Sequence, residues 1–363
     1  MKRRDILKVG TIAAAAASTL AAPAIAQSSP QINWRLTSSF PKSLDTIFGT
    51  AVTFAKALSD ATDGKFQLQT FAAGEIVPPL AALDAVQTGA VECAQTPTYF
   101  YYGKDPTLAI GTGLPFGINA RLQNAWWTFG GGSELINTSL AKFNTVGLLM
   151  GNSGCQMGGW FRKEINTVED LKGLKFRIGG IGGQVLARLG VVPQQIGGGD
   201  VYPALERGTI DAAEFVGPYD DEELGLQRVA KYYYYPGFWE GGAMLHLCIN
   251  KEKWESLPKH YQAIVKQAAE YANNWMLAKY DAVNAPALKR LIAGGTVLKA
   301  FPLPVMDAAW DASHALYAEL SAKDPHFKTT YDSLIAFRTE QYPWWQIGEH
   351  FFDAYQIRQR NKG

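Results

Sequence analysis

Residues 175–214 read KFRIGGIGGQVLARLGVVPQQIGGGDVYPALERGTIDAAE, and this stretch decides the fold class. Residues 175–178 are a strand pattern, 184–189 a helical one, and 191–193 a strand again. Residues 202–207 then read as a helix and 210–214 as a strand. Strands that alternate with helices across short joins argue for a parallel α/β layer. The N-terminal side repeats the theme. Residues 32–37 alternate as a strand, and Pro41 and Ser43 open a helix with Ile47, Val52, Phe54, Ala55 and Leu58 as inner positions. Asp63-Gly64 stops it, 66–71 is a second strand, 81–88 a helix and 91–95 a short strand. Thr167 to Asp170 carries a capping-box pattern, with Asp170 in the place of the usual Glu. After Leu245 the character changes: 247–250 is a last strand, and 258–291 is a long helical stretch interrupted by Pro286. Residues 305–322, 327–338 and 344–360 read as three further helices. Two α/β layers and a helical C-terminal third are therefore expected.

The chain has 363 residues, 34 Lys plus Arg against 33 Asp plus Glu, and 18% charged residues, below the roughly 25% of an average globular protein. Residues 1–26 have the parts of an export signal: Lys2, Arg3, Arg4 and Lys8, an apolar stretch over 9–20, and Ala24-Ile25-Ala26 as a cleavage site before Gln27. Arg3-Arg4-Asp5-Ile6-Leu7-Lys8 resembles the twin-arginine export pattern. The apolar run is too short and too rich in alanine to span a membrane, and no Cys follows the cleavage site to carry a lipid. Without the signal, 337 residues remain, with 30 basic and 32 acidic side chains and a net charge of −2. That balance excludes binding to nucleic acid or an anionic membrane through bulk basic charge. With 47% hydrophobic and 12% aromatic content, disorder is excluded too. The length exceeds the roughly 250–300 residues at which single cores split, so two lobes are expected. Cys93, Cys155 and Cys248 allow one disulfide at most and form no metal-binding spacing; burial as small hydrophobes is expected of them.

Catalytic signatures are missing. The chain has no G-x-S-x-G elbow, no P-loop and no H-E-x-x-H, and its five histidines are scattered, mostly in helical surface patterns. The glycines at 179, 180, 182 and 183 lie between a strand and a helix, but the dinucleotide spacing fails at Val185. Such glycines let a ligand approach the backbone. Arg177 stands just before them at a strand's carboxyl end, where open α/β sheets bind ligands. Its guanidinium could hold a carboxylate through two parallel hydrogen bonds or serve as a surface ion-pairing group. Glu214 and Glu240 sit among apolar and aromatic neighbours, where a carboxylate requires an Arg or a bound cation. Oxygen ligands without Cys or His point to a hard ion such as sodium or calcium. The run Asp220-Asp221-Glu222-Glu223 reads as a solvated helix start. The aromatic runs 99–102 and 232–235 suit a core or an interface. Tyr99 is the candidate for a cleft, where its hydroxyl would meet a small oxygenated solute.

The run Asn152-Ser153-Gly154-Cys155-Gln156-Met157-Gly158-Gly159-Trp160-Phe161-Arg162 resembles the substrate-binding proteins of TRAP (tripartite ATP-independent periplasmic) transporters. Gly173 to Gly180, Gly190 to Gln195, Tyr202 to Ala212, Trp239-Glu240-Gly241-Gly242 and Ser38 to Lys42 extend the likeness over essentially the whole mature chain. It is nearest the subgroup that binds 2-oxo acids, or related 2-hydroxy acids, with a metal ion. The resemblance implies a type II-like two-lobed periplasmic binding protein fold with a long helix spanning the hinge. Lobe I would hold residues 27–150 and about 243–295, and lobe II 151–242 with part of about 296–335. Residues 336–363 would form a C-terminal helix able to make a homodimer. Arg177 would bind the solute carboxylate, with Gln156, Tyr99, Phe215 and Glu240 also contacting the solute. Gln156, Glu214, Glu240 and the Phe215 carbonyl would hold a sodium ion, with calcium as the alternative. Close relatives often carry Trp at the position of Phe215, which alters pocket size and removes an indole hydrogen bond. The implied function is binding without bond chemistry: capture of a pyruvate-like 2-oxo monocarboxylate, or a lactate-like 2-hydroxy acid with calcium, for delivery to the membrane permease subunits. A twin-arginine-exported periplasmic metal enzyme is the rival, and a receptor serving a sensor a third reading.

Overall fold

A computed structural model of the chain describes residues 30–360, so the export signal expected over 1–26 lies outside the described residues. The strands in chain order are β1 (Ile32–Ser38), β2 (Phe66–Phe71), β3 (Cys93–Thr96), β4 (Thr145–Asn152), β5 (Gly159–Phe161), β6 (Lys175–Arg177), β7 (Val192–Gln194), β8 (Ala212–Ala213), β9 (Tyr232–Tyr235), β10 (Met244–Asn250) and β11 (Val297–Ala300). They form two sheets, ordered β2-β1-β3-β10-β4 and β11-β9-β5-β8-β6-β7. β1 and β3 are parallel, as are β6 with β7 and β8, which is the α/β layering the sequence implied. Antiparallel members complete each sheet: β10 pairs this way with β3 and β4, and β5 with β8 and β9.

The chain passes between the sheets by three routes: residues 153–158 lead from β4 to β5, 236–243 return from β9 to β10, and the helix Lys259–Ala293 leads on to β11. This helix buries Tyr261, Val265, Ala268, Ala269, Ala272, Met276, Tyr280, Ala287 and Leu291, a stripe at three- and four-residue spacing. It packs on β4 and the helix Ile47–Ala61 along one part and on the helix Pro218–Glu223 along another. Pro286 does not interrupt it. Both Pro286 and Ala282, whose carbonyl loses its helical partner to the proline ring, are exposed, so water can satisfy that group.

Other differences have local causes. Val52, expected inside, is exposed, because the buried face of Ile47–Ala61 runs through Ile47, Ala51, Phe54 and Leu58 instead. The helices expected at 184–189 and 202–207 start earlier, at Gly180 and Gly198, and Gly180 enters its helix at φ +56°, a backbone conformation that glycine allows. The two C-terminal helices merge: Pro325–Trp345 runs through a π-turn, Gln346–His350, into Phe351–Gln359. Pro343 is exposed there, so its missing hydrogen bond is again solvent-facing. Cys93 and Cys248 are buried as expected, but Cys155 is exposed, lying in the first crossing rather than in either sheet. His246 is no surface residue. It is fully buried in β10, packed edge-on against Trp127, and burial pushes its pKa down to about 3. Among the described residues no helix is long and apolar enough to cross a membrane.

Candidate ligand and cation site

The first two crossings and the second sheet contribute to one buried cluster. Arg177 ends β6 and Glu214 follows β8; the pairing of those strands sets them side by side. Gln156 lies in the first crossing and Glu240 in the second. All four are at most 3% exposed. Arg177 Nη1 donates to Glu214 Oε2 at 2.9 Å and to the Glu214 carbonyl, and its Nε donates to the Ile196 carbonyl at 3.2 Å. The guanidinium carbon lies 5.4 Å from the centre of the Phe215 ring. Arg177 is therefore neither an exposed ion-pairing residue nor free of protein partners.

One guanidinium does not balance two buried carboxyl groups. Burial raises the Glu214 pKa to about 7, against the opposing pull of Arg177 and with a further push from Asp221. Burial, then the charge of Glu214, holds the Glu240 carboxyl well above its usual range, although Arg177 and a hydrogen bond with Gln156 oppose this. Two oxygens face this cluster with no hydrogen-bond partner: Glu214 Oε1 and Gln156 Oε1. The Gln156 amide is oriented by Ser153, whose Oγ accepts from Gln156 Nε2 and from the Ala243 N–H, both at 2.8 Å. Ser153 thus ties the two crossings together, a role its place in the quoted run did not signal. Unpaired amide and carboxylate oxygens suit a hard cation, because they offer lone pairs and no donor. Among the described residues no three His, Cys, Asp or Glu side chains gather around one point, so these protein groups alone are an incomplete shell.

Two small cavities adjoin the cluster and share Tyr99 as a wall. One is lined by Arg177, Gln156, Ser153 and Phe215 with the apolar Phe40, Ile47, Pro97 and Leu245; the other by Glu214, Glu240 and Trp239. The Trp239 indole N–H, buried with no partner, was not anticipated. Nor were Phe40 and Pro97, which single residues of apolar type do not advertise. The structure thus brings Tyr99, Gln156, Arg177, Glu214, Phe215 and Glu240 to one place. The bare backbone at Gly179 and Gly180 is covered by the Tyr99 ring.

The acidic run behind the site overturns the expectation of a solvated helix start. Glu222 and Glu223 do face outward, but Asp220 and Asp221 are buried. Asp221 Oδ2 accepts from Tyr233 Oη at 2.7 Å and Trp160 Nε1 at 3.0 Å, and its Oδ1 from the Val216 N–H at 3.2 Å. Asp220 Oδ2 accepts from Tyr280 Oη of the long helix at 2.5 Å. Donors far away in sequence pull these two side chains inward, so the local charge run was a poor guide.

Residues 37–324 match the family model described as bacterial extracellular solute-binding protein, family 7. The monocarboxylate 2-oxoacid-binding periplasmic protein of Nostoc sp. is 48% identical over 360 residues, covering 98% of this chain and 99% of the relative. A solute-binding protein of a TRAP transporter from Bordetella bronchiseptica superposes with a TM-score of 0.91 at 49% identity, over 92% of this chain and 99% of that one. That protein is a dimer of mixed occupancy, with calcium and picolinate in one active site and the other apo. A TRAP periplasmic solute-binding protein from Pseudoalteromonas atlantica, with sodium and pyruvate bound, superposes at 0.86 with 35% identity, over 89% and 98% of the two chains.

Burial raises the Asp220 pKa to about 7 and that of Asp221 to about 6. Both ionise near 4 in an unfolded chain. The unfolded state therefore gives up these protons first, and stability falls as pH rises from about 4 to about 7, then levels off. Asp220→Asn keeps an acceptor for Tyr280 and removes one titration. Urea unfolding across this interval should show a shallower loss of stability in the variant; slopes identical to the parent's would refute the assignment.

Proposed function

The chain belongs to bacterial extracellular solute-binding protein family 7, and we propose that it captures a small 2-oxo monocarboxylate together with a metal cation for a TRAP membrane permease. The observation that carries this reading is the sealed imbalance of charge. Arg177 faces Glu214 and Glu240, with lone pairs of Gln156 and Glu214 unused. The nature of the Nostoc relative and of the pyruvate-bound Pseudoalteromonas protein supports the solute class.

In this reading Arg177 orients the solute carboxylate, and Gln156 Oε1, Glu214, Glu240 and the carbonyl of Phe215 hold the ion. The cation, when bound, supplies the positive charge that lets both glutamates stay ionised while it polarises the solute's oxygens. With a monocarboxylate the groups sum to two excess negative charges. Calcium cancels both and sodium only one, so the count favours calcium. Arg177 is the one basic residue lining either cavity among the described residues, which disfavours a second carboxylate on the solute. Phe40, Ile47, Pro97 and Leu245 offer an apolar wall to a short tail. The side chains reach the site from both sheets and from the crossings. That supports two lobes, residues 27–150 with about 243–295 and residues 151–242 with part of 296–335, closing over the solute.

Export to the periplasm would use the twin-arginine-type signal over residues 1–26. The C-terminal helix exposes Trp344, Ile347, Phe351, Phe352, Tyr355 and Ile357, an apolar surface of the kind that marks an interface. A second copy of this chain is the proposed occupant, in keeping with the dimeric Bordetella relative.

Four results test these points. Arg177→Ala should abolish pyruvate binding in calorimetry; retained affinity would remove the Arg from its role. Glu240→Gln should weaken calcium and pyruvate binding together, by about tenfold or more for a lost charged ligand. Chelated, sodium-free parent protein should lose pyruvate affinity likewise, and full affinity in that state would rule out a metal requirement. Sedimentation of Phe351→Ser/Phe352→Ser should show a monomer where the parent is a dimer. An unaltered dimer would exclude this helix from the interface.

A further inference from the structure

Tyr99 belongs to the turn Thr98–Tyr101 that follows β3 of the first sheet, while Gly179 and Gly180 follow β6 of the second. The ring lies along the bare backbone of both glycines. A Cβ at Gly179 would stand 2.8 Å from the Tyr99 Cζ and Oη, and one at Gly180 2.4 Å from Cδ2. Gln195, just past β7, closes the same contact with its amide. Its Oε1 accepts from the Gly180 N–H at 3.3 Å, and its Nε2 donates to the Phe100 carbonyl at 3.0 Å. Phe100 stacks on Tyr99 at 5.1 Å. Behind this contact, Ile181 and Val185 of the helix Gly180–Ala187 share one apolar cluster with Leu83, Tyr99 and Tyr101.

We infer that Gly179, Gly180 and Gln195 form a clasp that holds the Tyr99 turn down over the site and sets how slowly a bound solute leaves. The inference rests on the solute-binding reading above. The geometry supports a clasp because the Gln195 amide joins the Gly180 N–H of its own sheet to the Phe100 carbonyl of the other, and the ring can descend only where no Cβ stands in its path. Gln195 lines neither cavity and is a positioning residue, whereas Gly179 borders the cavity that holds Glu214 and Glu240, so Gln195→Ala is the variant that reports the clasp apart from the site. A clasp made only after the turn is seated leaves the encounter step alone and slows release, the pattern by which most affinity is tuned.

Gly179 has φ −81° and ψ 154°, a conformation alanine adopts freely, so the added methyl of Gly179→Ala meets only the Tyr99 ring and leaves the Gly179 N–H in place. The experiment is stopped-flow binding of pyruvate in calcium buffer to the parent, Gly179→Ala, Gln195→Ala, Tyr99→Ala and Gly179→Ala/Tyr99→Ala. Dissociation should quicken about tenfold in Gly179→Ala and about fivefold in Gln195→Ala, the scale of one hydrogen bond. Association should stay within about twofold. Adding Gly179→Ala to Tyr99→Ala should change nothing further, the signature of residues that act through one contact. Should Gly179→Ala not fold, Gln195→Ala carries the test alone. Dissociation unchanged in both single variants, or a loss confined to association, would overturn the clasp. A parent protein that binds no pyruvate with calcium would instead overturn the function it rests on.

Discussion

A single guanidinium set between two carboxyl groups, out of reach of water, is the constraint around which the rest is arranged. Burying a charge is costly unless it is paired and hydrogen-bonded, and here the pairing is left short by design of the backbone. β6 and β8 run parallel, which puts Arg177 against Glu214 at adjoining strand ends. The two crossings then deliver Gln156 and Glu240 to the same point, and Ser153 locks one crossing to the other. A fold that completed this shell with its own side chains would have no use for a ligand.

The second acidic pair, Asp220 and Asp221, shows the opposite solution to the same difficulty. There the protein supplies neutral hydrogen-bond donors, Tyr233, Trp160 and Tyr280. Tyr280 comes from the long helix that runs between the sheets, so the pair also fastens that helix to the strand region behind the site.

Much of this was legible in the sequence where one local rule decided it. The strand-helix alternation pointed to the α/β layers, and Arg177 at a strand end before glycines and Glu214 and Glu240 among aromatics pointed to residues that the structure gathers in one buried cluster. The misses have a common cause. The burial of Asp220 and Asp221, the interior place of His246 against Trp127 and the tie of Ser153 to Ala243 all depend on partners dozens of residues away. Residues 97–151 carry the helices Ala120–Phe129 and Gly132–Ala141 and strand β4, none of which the pattern reading picked out. β9 is four consecutive tyrosines, a strand without alternation, because Tyr233 and Tyr234 are buried on both faces of the sheet. The glycines at 179 and 180 were read as a place where a ligand could approach the backbone, and the structure sets the Tyr99 ring against them.

The strand order of the first sheet has a consequence in time. β10 is the member that joins β3 to β4, and its seven residues are all buried. During synthesis β1 to β4 emerge first, but nothing can bridge β3 to β4 until β5 to β9 of the second sheet have been made. The first half of the chain must wait, with its sheet divided, for a strand encoded about a hundred residues later. Such distant pairing makes folding slow and leaves apolar edges open meanwhile. Neither sheet can then be cut out of the gene as a contiguous, self-sufficient piece.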